Sequence, residues 1–316
     1  MELSVFIPTH NPHRGRLART LAGLRAQTLP ADRWETILVD NASTPALAAG
    51  ALTEPIPSNL RIVREETLGL TAARRRGFGE ARGAFIVMVD DDNVLAPDYL
   101  ERVLALFAAH PRLGAAGGRS TPEFEAAPEP WVREFDGLLA CRDLGEREIV
   151  ATQLWDDTRG RNEYPPCAPI GAGMALRRAA VEPWLARPSS TLTDRRGAEL
   201  TSGGDNDIIL TLLAQGWHVG YFPSLALTHL IPTGRVQRDY LARLNRGIAK
   251  SWIQVLTQHA ACPWGAIAPW TVPLRKAKAW LHYRAWAGPV QFIRWQGACG
   301  HFEGQASVRA KSPVSP

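Results

Sequence analysis

Long apolar runs are missing from this chain of 316 residues: no stretch approaches the ~18–20 uninterrupted apolar residues that a membrane-spanning helix needs. Cysteine is scarce. Cys141, Cys167, Cys262 and Cys299 lie far apart with no C-x-x-C pair, which argues against a disulfide framework or a zinc ribbon and for reduced thiols. The 27 glycines and 24 prolines follow no fixed period, so collagen-like and low-complexity readings fall away. Met1-Glu2-Leu3 lacks the basic flank of a secretory signal peptide, and a cytoplasmic location is expected. Acidic residues nearly vanish from one end. Residues 241–316 carry ten Lys/Arg and one acid, Glu303, a net +9, whereas residues 1–240 carry 26 Lys/Arg and 30 acids, a net −4. The same basic end holds six of the eleven tryptophans, so the two ends meet different surroundings.

What is present is a soluble-type composition, 45% hydrophobic and 21% charged, arranged in an alternating rhythm over the first third. Leu3–Ile7 is an apolar run closed by Pro8 and predicts a buried strand; Arg14 to Gln27 sets Leu17, Leu21 and Leu24 at helical spacing. Thr36–Val39 and Leu60–Val63 read as further strands, Thr71 to Arg82 as a helix, Ala84 to Val89 as the most apolar strand, and Asp98 to Ala109 as a helix opened by Pro97. Strands alternating with helices predict an α/β fold, a Rossmann-like and mostly parallel sheet flanked by helices. Between Arg119 and Pro166 the pattern loosens. Order returns over Ile170–Val181 and Ile208–Leu213, with a helix beginning near Asp207 and a strand over Leu225–Thr228. Trp131 and Trp155 fall in that loose stretch, where either an acceptor mouth or core packing suits an indole.

In parallel sheets, ligands gather at the carboxyl ends of the strands. Those ends are polar here: Thr9-His10-Asn11, Asp40-Asn41, and Asp90-Asp91-Asp92. Three adjacent aspartates repel one another, and a divalent cation relieves the repulsion; a solvated turn of helix-capping acids is the other reading.

Taken together and in order, several segments resemble glycosyltransferase family 2: Ile7-Pro8-Thr9-His10-Asn11, Ile37 to Ser43, Gly69 to Gly77, and Val89-Asp90-Asp91-Asp92-Asn93. The resemblance continues through Gly171 to Arg178, Ser202-Gly203-Gly204-Asp205-Asn206-Asp207, and Gly216 to Pro223 with His229-Leu230-Ile231-Pro232. It implies a GT-A fold over residues 1–245, with a nucleotide-binding half (1–118) and an acceptor half (119–245), followed by a basic, Trp-rich helical extension (246–316). It also implies an inverting, metal-dependent transfer from a nucleoside-diphosphate sugar, UDP-linked, to a hydroxyl of a saccharide or lipid-linked acceptor in cell-surface polysaccharide or glycoconjugate synthesis. A retaining transferase, a nucleotidyltransferase, or a silent sugar-nucleotide-binding or membrane-docking protein are the competing readings.

The resemblance assigns Pro8, Thr9, Asn11, Asp40, Arg74, Asp90 and Asp91 to the nucleotide sugar, with Asp40 accepting from the base N–H. Asp92 and His229 would hold Mg²⁺ or Mn²⁺, and Asp205 would be the base. Gly204 stands where the family often has an acid, and Arg75 where it often has Asn. Asp207 is the alternative base or a helix cap. Met174 and Leu176 are expected beneath the site, and Arg76 in solvent. The basic, Trp-rich extension suits either helices at an anionic membrane surface, on its inner face, or a packed helical subdomain. No nucleic-acid-binding module is recognisable.

Overall fold

The computed structural model describes residues 1–187, 200 and 203–308, so Ser202 of the expected motif lies outside the described residues. In chain order the elements are β1 (Leu3–Thr9), α1 (Arg14–Arg25), β2 (Trp34–Asn41), β3 (Leu60–Glu65), α2 (Leu70–Glu80), β4 (Phe85–Met88), β5 (Asn93–Leu95), α3 (Tyr99–Ala109) and β6 (Leu113–Phe124). There follow β7 (Ile149–Ala151), β8 (Trp155–Asp156), β9 (Arg161–Asn162), β10 (Ala175–Arg177), α4 (Arg178–Ala186), α5 (Gly204–Ala214) and β11 (His218–Ile231). Three helices end the chain: α6 (Arg238–Gln258), α7 (Val272–Tyr283) and α8 (Pro289–Ser307).

The main sheet runs β3-β2-β1-β4-β10-β6-β11-β5, with β7 also on β11. The long pairings β1–β2, β1–β4, β2–β3 and β6–β11 are parallel, while the short β10, β5 and β7 pair antiparallel. Strand alternation divides β1 between two cores. Leu3, Val5 and Ile7 pack with Leu17, Leu21 and Leu24 of α1 and with α3. Phe6 points the other way, edge-on to Phe78 of α2 with ring centroids 4.9 Å apart. Met174 and Leu176 lie in that second core, fully buried as expected. A third core joins Val132, Phe135 and Leu139 to Leu241 and Leu244 of α6 and Ile293 of α8.

Three features differ from the sequence reading. Helix α5 begins at Gly204, three residues before Asp207, because Asp207 N–H already donates to the Gly203 carbonyl. The strand expected at Leu225–Thr228 is one part of the long β11. β6 runs into the loose stretch as far as Phe124, despite Gly-Ala-Ala-Gly-Gly in its first half. A Cβ on Gly118 would fall 2.0 Å from the Leu225 carbonyl oxygen, so this crossing demands glycine where propensity disfavours it. The divisions placed at 118/119 and 245/246 fall inside β6 and α6, and neither coincides with a break in secondary structure. No described helix is long and apolar enough to cross a membrane.

Candidate active site

At the carboxyl end of the sheet, β4 stops at Met88 and the chain turns through the three aspartates into β5. The β5–β11 register sets His229 opposite Asn93, and Leu230 N–H donates to the Asp92 carbonyl at 2.8 Å. Two distant segments are thereby clamped around one carboxylate. Asp92 is buried; its Oδ2 lies 2.9 Å from Arg235 Nη1 and its Oδ1 3.4 Å from His229 Nε2. Thr9 Oγ1, at the end of β1, donates to Asp91 Oδ2. Burial, and then the neighbouring Asp92 charge, push the Asp91 carboxyl up to about 6. Arg235 feels the converse. Burial disfavours its charge, but the Asp92 carboxylate, with Asp90 and Asp91, outweighs burial and raises it above the ordinary guanidinium value.

These groups open onto a cavity of about 500 Å³ lined by Pro8, Thr9, Asp90, Asp91, Asp92 and His229, with Arg235, Tyr240 and Leu138–Ala140 on the far wall. Six of the expected site residues thus share one cavity. Sequence reasoning missed Arg235: a lone basic residue in Pro232-Thr233-Gly234-Arg235 gives no signal until β11 delivers it to the aspartates.

Asp40 and Asn11 lie beside this cavity rather than on it. Asp40 lines a neighbouring cleft of about 610 Å³ with Ala46–Ala49, Leu60–Ile62 and Arg64. Its Oδ1 accepts from Ser43 N at 3.2 Å, and its Oδ2 accepts from Leu47 N at 3.0 Å and from Arg64 Nη1 at 2.6 Å. Burial raises Asp40, yet these donors outweigh it and hold the carboxyl below its usual range. Asn11, at a left-handed φ of 46°, fastens the adjoining loop by accepting from Thr44 N at 2.9 Å.

Asp205 and Arg74 form a separate pair of positions around Gly171. Asp205 Oδ2 accepts from Gly171 N at 3.0 Å, and a Cβ on Gly171 would stand 2.9 Å from Arg74 Nη2 and 3.2 Å from Asp205 Oδ2. Glycine there lets both groups sit this close to the backbone. Asp205 is half-buried in the first turn of α5.

Asp207 turns elsewhere. Its buried carboxylate accepts from Trp184 Nε1 at 2.6 Å, lies 2.7 Å from His259 Nε2 at the end of α6, and pairs with Arg187 at 3.3 Å. Burial would raise it, but the His259 and Trp184 contacts prevail and lower it. It ties α4, α5 and α6 together. Arg75 reaches the Leu185 and Arg187 carbonyls at 3.0 and 2.9 Å, while Arg76 pairs with Glu80 at the surface. Trp131 packs edge-on to Phe135, and Trp155 is exposed on the β8–β9 hairpin.

Whether the Asp cluster suits a divalent ion can be judged from its donors. Carboxylate oxygens of Asp90 and Asp92 with an imidazole nitrogen are ligand types that Mg²⁺ or Mn²⁺ accept. Among the described residues, no three such side chains are gathered closely enough to chelate one. The Arg235 guanidinium, 2.9 Å from Asp92 Oδ2, holds the cationic position against that carboxylate.

Comparison with known proteins gives the family. Residues 4–183 match Glycosyl transferase family 2. The O-antigen biosynthesis protein RfbC of Myxococcus xanthus is 33% identical over 153 residues, 42% of this chain and 12% of that protein. An N-acetylglucosaminyltransferase of Azorhizobium caulinodans is 23% identical over 238 residues, 73% of this chain and 55% of that one. This chain therefore spans 12% of the length of RfbC and 55% of that of the second relative. The crystal structure of S. aureus TarS 1-349 has a TM-score of 0.51 at 15% identity, over 96% of this chain and 90% of that one. TarS 1-349 in complex with UDP gives 0.50 at 14%. The TarS likeness speaks for a shared GT-A fold, and the domain match, which covers more than half of the sequence, for descent: the chain belongs to glycosyl transferase family 2.

Proposed function

We propose that this protein transfers a sugar from a nucleoside-diphosphate sugar, UDP-linked, to a hydroxyl of a saccharide or lipid-linked acceptor, with inversion at the anomeric carbon. The observation that carries the reading is the cavity where Thr9, Asp90–Asp92, His229 and Arg235 meet at the carboxyl ends of β1 and β4. A cation–carboxylate cluster there suits a diphosphate, whose negative charge grows as it leaves. The UDP bound to TarS, and the names of RfbC and the N-acetylglucosaminyltransferase, favour a UDP-linked donor and polysaccharide or glycoconjugate synthesis.

In this mechanism Pro8 and Thr9 border the nucleoside, and Asp40 offers a remaining lone pair to the base N–H. Asn11 holds the loop beside it, Arg74 meets the nucleotide's charge, and Asp90 and Asp91 contact ribose and sugar. Asp92 and His229 would hold Mg²⁺ or Mn²⁺, which when bound supplies electrostatic stabilisation to the departing diphosphate. Asp205, clear of the metal ligands and flanked by Gly171, takes the proton from the acceptor hydroxyl as that oxygen attacks. The acceptor side works at an anionic membrane surface, on the inner face.

The test is release of nucleoside diphosphate across a panel of nucleotide sugars, with and without Mn²⁺, followed by NMR of the anomeric proton in the product. Asp205→Asn should lower kcat by ~10²–10⁴ with donor affinity unchanged, as for loss of a general base. A product that keeps the donor's anomeric configuration would refute the single displacement.

A further inference from the structure

Helix α7 carries apolar side chains on two faces. Its inner face is ordinary: Ala279 is buried, and Trp280 packs edge-on to Trp295 of α8 with centroids 4.7 Å apart. Lys276 on that side pairs with Glu303, which Arg246 also engages. Outward, Trp270 in the turn before α7 is 81% exposed, Leu274 73% and Leu281 66%. Their spacing, with exposed Ala277 between, places them in one stripe along the helix. A water-facing helix has no use for such a stripe.

Charge runs beside it. Arg275 and Lys278 flank the stripe, and Arg284 caps the helix. None of the three lies within ion-pair distance of a carboxylate among the described residues, because Glu303, the one acid of 241–316, is already engaged. Behind this flank lies a cavity of about 760 Å³ between α6, α7 and α8. Arg275, Lys278 and His282 line it from α7, and Arg294 and His301 from α8; Arg294 also reaches Glu134 at 2.6 Å.

We propose that the outward face of α7 lies in the headgroup region of an anionic phospholipid bilayer, with Trp270, Leu274 and Leu281 among the acyl chains. The adjoining basic cavity receives a lipid phosphate. The charge decides the occupant: an apolar stripe bordered by unpaired cations and by no acid complements a surface that is apolar inside and anionic at its rim. This deepens the membrane part of the proposed function and rests on it.

Binding of the full chain to vesicles tests the idea without donor or acceptor, so its failure leaves the transfer reading standing, and a failed transfer assay leaves this one. Expected are sedimentation with vesicles of equimolar phosphatidylcholine and phosphatidylglycerol, little with phosphatidylcholine alone, and a blue shift of tryptophan emission as Trp270 leaves water. The double variant Arg275→Gln/Lys278→Gln should weaken binding about 25-fold at low salt, at about fivefold per charge. Leu274→Ser/Leu281→Ser should weaken it by at least about tenfold through lost apolar burial. Neither should move the unfolding midpoint, since all four side chains are exposed. Indifference of the wild type to lipid charge, or wild-type binding by both variants, overturns the proposal. So does a lipid-free dimer that Leu274→Ser/Leu281→Ser dissolves, which would assign the stripe to a second copy of the chain.

Discussion

Replacing Asp207 by Asn should damage stability and spare chemistry. Asp207 is 4% exposed, and its carboxylate is joined to Trp184 Nε1, His259 Nε2 and Arg187 at 2.6, 2.7 and 3.3 Å. A helix cap is worth about 1 kcal/mol; a buried charge with fixed partners behaves differently. Removing one member of a buried pair costs ~3–5 kcal/mol. Two facts reduce that figure. Asn retains an acceptor for the Trp184 indole, and the Arg187 side chain is 44% exposed and therefore screened. A loss of roughly 2–4 kcal/mol remains, which for a chain of this size lowers Tm by roughly 5–10 °C. The pH dependence follows from the direction of the shift. The folded-state value of Asp207 lies below its ordinary 3.8, so its stabilisation is complete above that pH and fades as acid titrates the folded group. The gap between wild type and variant should therefore be constant from neutrality down to about pH 5 and shrink on further acidification. Chemical denaturation across pH, with kcat measured well below the variant's Tm, reads both effects. Wild-type stability combined with lost turnover would refute the reasoning and move Asp207 into the reaction.

Two other outcomes are expected. Asp92→Asn removes the charge that holds Arg235, so calorimetric binding of UDP in Mn²⁺ should weaken by about tenfold or more while the circular dichroism spectrum is unchanged; equal binding would remove Asp92 from the cation site. Gly300→Ala places a Cβ 2.0 Å from the Arg246 carbonyl oxygen, and the separation of α8 from α6 should cost about 1–3 kcal/mol in urea unfolding, against the ordinary helix preference for alanine.

How far the fold could be read from the chain depended on which contacts define each element. Strands β1, β2 and β4 are buried on both faces, so each appears as a continuous apolar run that needs no tertiary knowledge. Helices α1 and α3 announce themselves by leucines at helical spacing. β6 did not. Its glycines at 117 and 118 answer to backbone and side-chain neighbours at Leu225 and Pro169, more than 50 residues away in sequence, and locally they resemble a loop. The same holds for the basic end: its composition was plain, but the division between packed and outward tryptophans exists only once α7 lies on α8.

The candidate site obeys the same distinction. Thr9 ends β1 and the three aspartates come just after β4, and they were legible because strand ends point at one edge of the sheet. Arg235 was illegible because its meaning is a distance to Asp92, set by the β5–β11 register. Asp205 and Asp207 show where pattern alone runs out. Both are acids in the same short segment, two residues apart, and only the start of α5 at Gly204 separates them. Two positions along a helix, at ~100° per residue, turn side chains about 200° apart. One then faces Gly171, and the other must face the packing between α4 and α6. A helix beginning at Asp207 would have left Asp205 in the preceding loop and Asp207 as its opening residue, a position suited to either role. The earlier start turns the two apart: Asp205 accepts from Gly171 N, and Asp207 is held by an indole and an imidazole.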